Sequence, residues 1–359
     1  MQEKLIALQN QQFELFFYLH GTKINEICIR LASLKIPQMY SFRKIFHPAL
    51  FQGSMKMNNY FEGWYFKHVS ANHKDAFAVI PGISLSTDPH AFIQFVDGSK
   101  GRSAYFRYDI KDFHSDNKKF KVKIGNSVFS SEGIGLDLYS EDLKVNGKID
   151  FSDMITLPAT LLNPGIMGWY SYVPGMECNH GVVSLNHFLG GTIYINGKQK
   201  LFSGGQGYIE KDWGISFPES WIWMQCNTFR DEYVSVMISV AKIPWRGNFF
   251  VGFLAFIHLR GKTEIFATYN RSKILYLGKN ISGKSEIHIA KGGKKLKLVI
   301  SGKESVALKA PVAGNMVSRI KESLDSEVYI EYTEKNKPLF SGTGIKCGFE
   351  ETEGIYKYF

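Results

Sequence analysis

The chain has 359 residues, 44% of them hydrophobic and 14% aromatic, enough for two domains of ordinary size with aromatic-rich cores or cavities. A formal charge of +10 favours acidic partners, but no block of five Lys or Arg occurs and the densest cluster, KGGKKLK at 291–297, reads as a solvated hairpin, so nucleic acid is excluded as a partner. The cysteines Cys28, Cys178, Cys226 and Cys347 lack metal-ligand spacing, no run reaches the roughly 18 apolar residues of a membrane span, and no signal peptide is visible, so a cytoplasmic compartment is expected.

Residues 1–40 carry Ile24, Ile27, Cys28, Leu31 and Leu34 at three- and four-residue steps, which predicts a helix with one apolar stripe. Phe13, Phe16, Phe17 and Leu19 precede it, and Gly21 divides the segment into two helices. Two uses fit: a helical extension packed on the main body, or an interfacial anchor that gives peripheral membrane contact.

From residue 60 the pattern turns to β. In YFEGWYFK (60–67), Glu62 shares a strand face with Tyr60, Trp64 and Phe66, and Tyr65 belongs to the same aromatic run. An acid buried there is costly unless hydrogen-bonded. Short strands are predicted at 77–80, 91–96, 104–110 and 234–240, with hairpins at Asn146-Gly147, Asn196-Gly197 and Arg260-Gly261. Residues 152–176 mix Pro158, Pro164, Gly165, Gly168, Pro174 and Gly175 with Trp169, Tyr170 and Tyr172. So long an irregular stretch is either a flap over a cavity mouth or surface packing. Long amphipathic helices are absent after residue 40, so the residues predict an all-β chain of antiparallel strands, sandwich or barrel.

Chemistry concentrates in two places. In GMECNHGVVSLNH (175–187), Glu177, Cys178 and His180 match no zinc pattern, and no metal is expected. They read as a polar strand-edge cluster near a cavity, where Glu177 or His180 can orient a substrate hydroxyl. The second place is GYIEKDWGISFPESWIWMQCNTF (207–229). Strand alternation puts Tyr208, Glu210 and Asp212 on one face and Lys211 and Trp213 on the other. In the next run Trp221, Trp223, Gln225 and Asn227 share a face. Pairing of the two runs through a Phe217-Pro218 turn would line one cavity with an acid, a phenol and two indoles. A carboxyl in an apolar pocket keeps its proton to higher pH and can act as a general acid, and indole faces attract the cation that results. On residue types alone a structural reading also fits, with Glu210 paired to Lys211 or Arg230 and the tryptophans as core. Phosphate loops, nucleophile elbows, HExxH and dinucleotide fingerprints are absent from the sequence.

Four segments together resemble the tocopherol cyclase family: FEGWYFK at 61–67, the block at 207–229, LKAP at 308–311 and GTGIKCGFEE at 342–351. More distantly the pattern is similar to the carotenoid hydratase superfamily, which implies two lipocalin-like β-barrels, here 41–204 and 205–359 after the helical extension. The resemblance also implies cofactor-free chemistry on an apolar prenylated substrate. An acid protonates a prenyl double bond, and a phenol oxygen closes on the cation to give a chromanol. The acid three residues before Trp-Gly falls on Glu210, with Asp212 or Tyr208 tuning it. Trp221 and Trp223 would stabilise the cation. Glu62, Trp64, Tyr65, Trp213, Gln225, Asn227, Glu177 and His180 complete the expected cavity. Family members often have Asn where this chain has Asp212, so which carboxyl donates stays open. Two other functions fit the same resemblance: an isoprenoid hydratase, or a lipid carrier without catalysis.

Overall fold

Runs rich in Val, Ile, Phe and Tyr, broken by turns that need positive φ, build two antiparallel sheets. The computed structural model describes residues 42–161, 163–230, 233–245 and 247–359. The predicted helices at 1–40, with Cys28, lie outside the described residues.

The first sheet holds twelve strands among the described residues. They are β1 (Tyr60–Val69), β2 (Ala76–Leu85), β3 (His90–Asp97), β4 (Arg102–Tyr108), β5 (Phe113–Ser115), β6 (Lys121–Ile124), β7 (Ser127–Ser130), β8 (Gly133–Tyr139), β9 (Lys144–Ile155), β10 (Cys178–Ile195), β11 (Lys198–Leu201) and β12 (Gln206–Gly214). Its order is β4-β3-β2-β1-β12-β10-β9-β8-β7-β6-β5, with β11 on β10. The two ends of this path, β4 and β5, are joined by the 3-10 turn Ile110–Asp112, so the sheet curls towards a barrel.

The second sheet holds β13 (Trp221–Cys226), β14 (Val234–Trp245), β15 (Asn248–Leu259), β16 (Lys262–Ala267), β17 (Lys273–Lys279), β18 (Ser285–Lys291), β19 (Lys294–Ser301), β20 (Val306–Val312), β21 (Asn315–Glu334) and β22 (Lys337–Glu351). Its order is β16-β15-β14-β13-β22-β21-β19-β18-β17, with β20 on β21. This is the all-β, two-sheet architecture expected from the sequence. No helix among the described residues is long and apolar enough to cross a membrane.

The hairpin signals divide. Asn196-Gly197 (φ 50° and 76°) and Arg260-Gly261 (φ 50° and 75°) are two-residue turns with both residues left-handed, which suits the twist of paired strands. Asn146-Gly147 does not turn. Both residues lie inside β9, where Gly147 at φ 140° lets β10 come so close that a Cβ would sit 2.4 Å from the Thr192 carbonyl oxygen. The KGGKKLK segment does form the turn between β18 and β19, but Lys291 and Lys294 pair with Glu264.

The expected pairing through Phe217-Pro218 is corrected as well. Strand β12 has β1 and β10 on its two edges, and β13 has β14 and β22. With both edges filled, the two strands cannot pair, so residues 215–220 link one sheet to the other. The expected boundary at 204/205 moves for the same reason: the first sheet runs on to Gly214, and the second begins at Trp221.

Alternation then sorts side chains into three cores. One fills the first barrel with Trp64, Phe66, Phe77, Phe95, Ile209 and Trp213. A second fills the other barrel with Ile222, Met224, Ile238 and Leu298. A third lies between the sheets and contains Tyr65, Tyr208, Trp221, Trp223, Met237 and Phe256. Cross-sheet hydrogen bonds seal this layer, such as Ser84 Oγ to the Gly314 carbonyl at 2.6 Å and Gln94 Nε2 to the Lys309 carbonyl at 3.0 Å.

Candidate active site

The third core is incomplete, and the gap is a cavity of about 180 Å³ between the sheets. Its walls are mainly apolar, including Phe61, Ile80, Phe92, Met167, Tyr170, Trp221, Trp223 and Phe250. A few polar groups converge on it: Glu177, His180, Glu210, Asp212 and Glu350. An apolar cleft with few aimed polar groups is the usual form of a small-molecule site.

Strand register explains which side chains arrive there. Directly opposed residues share a face, and Tyr65 lies opposite Glu210, Gly63 opposite Asp212, and Asp212 opposite His180. Tyr208, Glu210 and Asp212 therefore do share one face, as predicted. Glu210 is only 4% exposed. Its Oε2 accepts from the Tyr208 hydroxyl at 2.6 Å and from Trp223 Nε1 at 3.2 Å, and His180 Nε2 lies 3.6 Å from the same oxygen. On its other side, His180 Nδ1 sits 2.9 Å from Asp212 Oδ1.

The electrostatics follow from this packing. Burial, with Asp212 nearby, pushes Glu210 up to about 7 against the opposing pull of His180, Tyr208 and Trp223. Burial alone would lower His180, but Asp212 and Glu210 lift it to about 9. At neutral pH the imidazolium–Asp212 pair is therefore closed on itself, and Glu210 is poised to give up a proton. Two donors already occupy Oε2, which leaves Oε1 as the oxygen that carries the proton. An ionised Glu210 would have the donors Tyr208 and Trp223, and His180, already in place around Oε2.

His180, Glu210 and Asp212 also bring one ligand atom each within 4.8 Å of the others, a spacing a metal ion can use. Here His180 Nδ1 and Asp212 Oδ1 are already joined by their hydrogen bond, and Glu210 Oε2 accepts from Tyr208 and Trp223.

Not every expected residue reaches the cavity. Trp213, Glu62 and Trp64 point into the first barrel, the opposite face of β12 and β1. There Glu62 pairs with the buried Lys211 and accepts from the Gln52 and Gly53 backbone N–H groups at 2.8 and 2.9 Å. Lys211 in turn sits 4.5 Å above the Trp64 ring and 5.0 Å above Trp213. Gln225 shares the face of Trp223 on β13, Asn227 follows the end of that strand, and neither lines the cavity. Lys67 Nζ donates to Gln225 Oε1 at 2.8 Å, and Asn227 Nδ2 donates to Asn186 Oδ1 and the Gly207 carbonyl, both at 2.9 Å. The irregular stretch of 152–176 contributes Met167, Tyr170 and Met176 to the cavity wall, and is tied down by Tyr269 Oη donating to the Ile166 carbonyl at 2.9 Å.

Two carboxyls were missed by sequence reasoning. Glu350 lines the cavity and accepts from Trp221 Nε1 at 2.8 Å. Glu322, fully buried behind Tyr65, accepts the Tyr65 hydroxyl, and burial together with Glu210 pushes it up to about 8. Glu322 was hidden among Lys321, Asp325 and Glu327, a run that reads as a solvated strand. Glu350 was hidden by its neighbour Glu351, since alternation says that one of the two points inwards but not which.

Comparison with known proteins places this cavity in context. The sequence profile described as tocopherol cyclase-like matches residues 154–352, more than half of the chain. The chloroplastic tocopherol cyclase of Zea mays is 24% identical over 177 residues, covering 47% of this chain and 36% of that protein. A probable chloroplastic tocopherol cyclase of Oryza sativa subsp. japonica is 29% identical over 106 residues, covering 28% of this chain and 23% of the relative. The match thus spans about a third or less of these curated relatives' length. Among solved structures, CghA superposes with a TM-score of 0.52 over 81% of this chain and 88% of its own, at 12% identity, a likeness of fold alone.

Proposed function

This chain belongs to the tocopherol cyclase-like family, and from that membership and its cavity we propose that it is a cofactor-free cyclase of prenylated phenols or hydroquinones. The observation that carries the reading is Glu210: a buried carboxyl at about 7, held on one oxygen by a phenol and an indole, in a cavity walled by Trp221 and Trp223.

The proposed reaction runs in two steps. Glu210 gives its proton to the less substituted carbon of a prenyl double bond, which leaves a tertiary cation on the neighbouring carbon. The new Glu210 carboxylate and the indole faces of Trp221 and Trp223 stabilise that charge; a desolvated indole face contributes about 2 kcal/mol. A phenol oxygen of the same molecule then bonds to the cationic carbon, its proton leaves, and a chromanol ring results. Apolar walls limit the water that would otherwise capture the cation. His180, fixed by Asp212, balances the charge that appears on Glu210.

Incubation of the purified full chain with a prenylated hydroquinone, followed by mass analysis, tests this. A product isomeric with the substrate supports cyclisation. Addition of one water identifies a hydratase instead, and unchanged substrate that co-elutes with the protein identifies a carrier. Glu210→Gln should abolish product formation; a variant that still turns over would remove Glu210 from its role.

A further inference from the structure

We propose that Glu350 is a second catalytic carboxyl, the base that takes the phenolic proton as the ring closes, while Glu210 supplies the proton to the alkene. The inference rests on the cyclase reading above and adds a residue to it.

The cavity contains the same device twice. Trp223 Nε1 donates to Glu210 Oε2 at 3.2 Å, and Trp221 Nε1 donates to Glu350 Oε2 at 2.8 Å. All four side chains line the one cavity. Register makes this arrangement firm: Trp223 on β13 lies directly opposite Glu350 on β22, so their side chains share a face, and Trp221 is two residues along the same face. In each dyad the indole holds one carboxyl oxygen and leaves the other for the substrate.

Glu350 also differs from its neighbour. Glu351 is committed to a surface cluster, with Lys279 Nζ at 2.7 Å and Tyr356 Oη at 2.8 Å. The ion pairs of the described residues engage Glu351 and pass Glu350 by.

Cyclisation moves one proton in at carbon and another out at oxygen, and these atoms lie on different parts of the substrate. A single carboxyl would have to reach both. Two carboxyls on one cavity divide the work. As the new C–O bond forms, the phenolic O–H bond breaks, and its proton passes to the Glu350 carboxylate while Glu210 remains as the carboxylate left by the first step. The pair holds one proton before and after. A proton returned from Glu350 to Glu210 through solvent resets it. Burial, with Glu322 and Glu210 near, holds Glu350 well above the usual carboxylate range, so Glu210 and Glu350 share one proton between them, and the reacting form is the one with that proton on Glu210 and Glu350 ionised.

The test compares two substrates in deuterated water with full-length protein. One is a prenylated hydroquinone. The other is its methyl ether at the cyclising oxygen, which can be protonated on the alkene but has no phenolic proton to lose. Reversible protonation leaves deuterium in the recovered ether. Glu350→Gln should slow cyclisation about 100-fold or more while deuterium uptake into the ether stays within a few-fold of wild type. Glu210→Gln should abolish both, and Glu350→Asp should restore part of the cyclisation. Cyclisation at the wild-type rate in Glu350→Gln overturns the proposal, as does an equal loss of both readouts. If Glu350→Gln does not fold, a smaller loss of cyclisation, again with deuterium uptake kept, is required of Glu350→Asp. If wild type binds the hydroquinone and never cyclises it, the cyclase reading fails and Glu350's role falls with it. Wild-type cyclisation with an indifferent Glu350→Gln sinks this inference alone.

Discussion

Trp223 Nε1 lies 3.2 Å from Glu210 Oε2, so an indole from one sheet holds the carboxyl of the other across the space between them. The bond serves two ends. It contributes to the seam between the sheets, and it aims a donor at the oxygen where negative charge develops when Glu210 gives up its proton. Trp223→Phe keeps most of the ring's volume and removes the N–H. Its kcat should fall about 10- to 100-fold with little change in KM, since the donor acts mainly on the charged state. A KM effect without a kcat effect in steady-state assays would show that the indole only binds substrate.

Glu210 works while protonated, and its raised value of about 7 sets the pH window. Activity should fall about tenfold per unit above pH 7, as the Glu210 carboxyl ionises. His180, at about 9, keeps its charge through that descent. A pH profile of kcat/KM reads this directly. A rate that rises through pH 7 would make Glu210 a base instead of an acid.

Because His180 lowers the Glu210 value and Asp212 raises it, variants of the two should move the alkaline limb in opposite directions. His180→Gln removes a cation, so the limb should shift to higher pH, although kcat falls because the Glu210 carboxylate loses its imidazolium. Asp212→Asn removes an anion, so the limb should shift to lower pH. Profiles of the two variants that move together would show that the cluster does not tune Glu210 through charge.

Much of this site was legible from alternation. Period two placed Tyr208, Glu210 and Asp212 on one face and Trp221 and Trp223 on another, and both faces do meet the same cavity. The way they meet was not legible, because Pro-containing turns serve equally for hairpins and for links between sheets. Nor was the side of each strand that faces a barrel interior. Glu62 and Glu210 both sit among aromatics, and only closure of the first sheet shows that one is walled into a core and the other looks out of it. His180 was expected at the cavity, but its link to Asp212 was not legible, for a related reason. Its pairing with Asp212 depends on the register of β10 against β12, which carries a bulge at Val182/Ser184 and leaves no local mark in either strand.

Glu62 and Lys211 form an ion pair with both side chains fully buried in the first barrel, next to the cavity but facing away from it. Glu62→Gln keeps the shape and removes the charge, so Lys211 is left as a buried ammonium without its counter-ion. Such a change costs about 3–5 kcal/mol. Burial already lowers Lys211 to about 8, and Glu62 is what opposes a further fall. A lysine depressed in the folded state destabilises the fold at low pH, and that penalty is relieved as pH rises through its folded value. In the variant that value lies below 8, so relief begins earlier than in wild type. The stability gap between the two, measured by denaturant unfolding, should therefore narrow as pH rises from about 6 to 8 and then level off. A gap that does not change with pH would mean that the lost hydrogen bonds of Gln52 and Gly53, and not the stranded charge of Lys211, account for the damage.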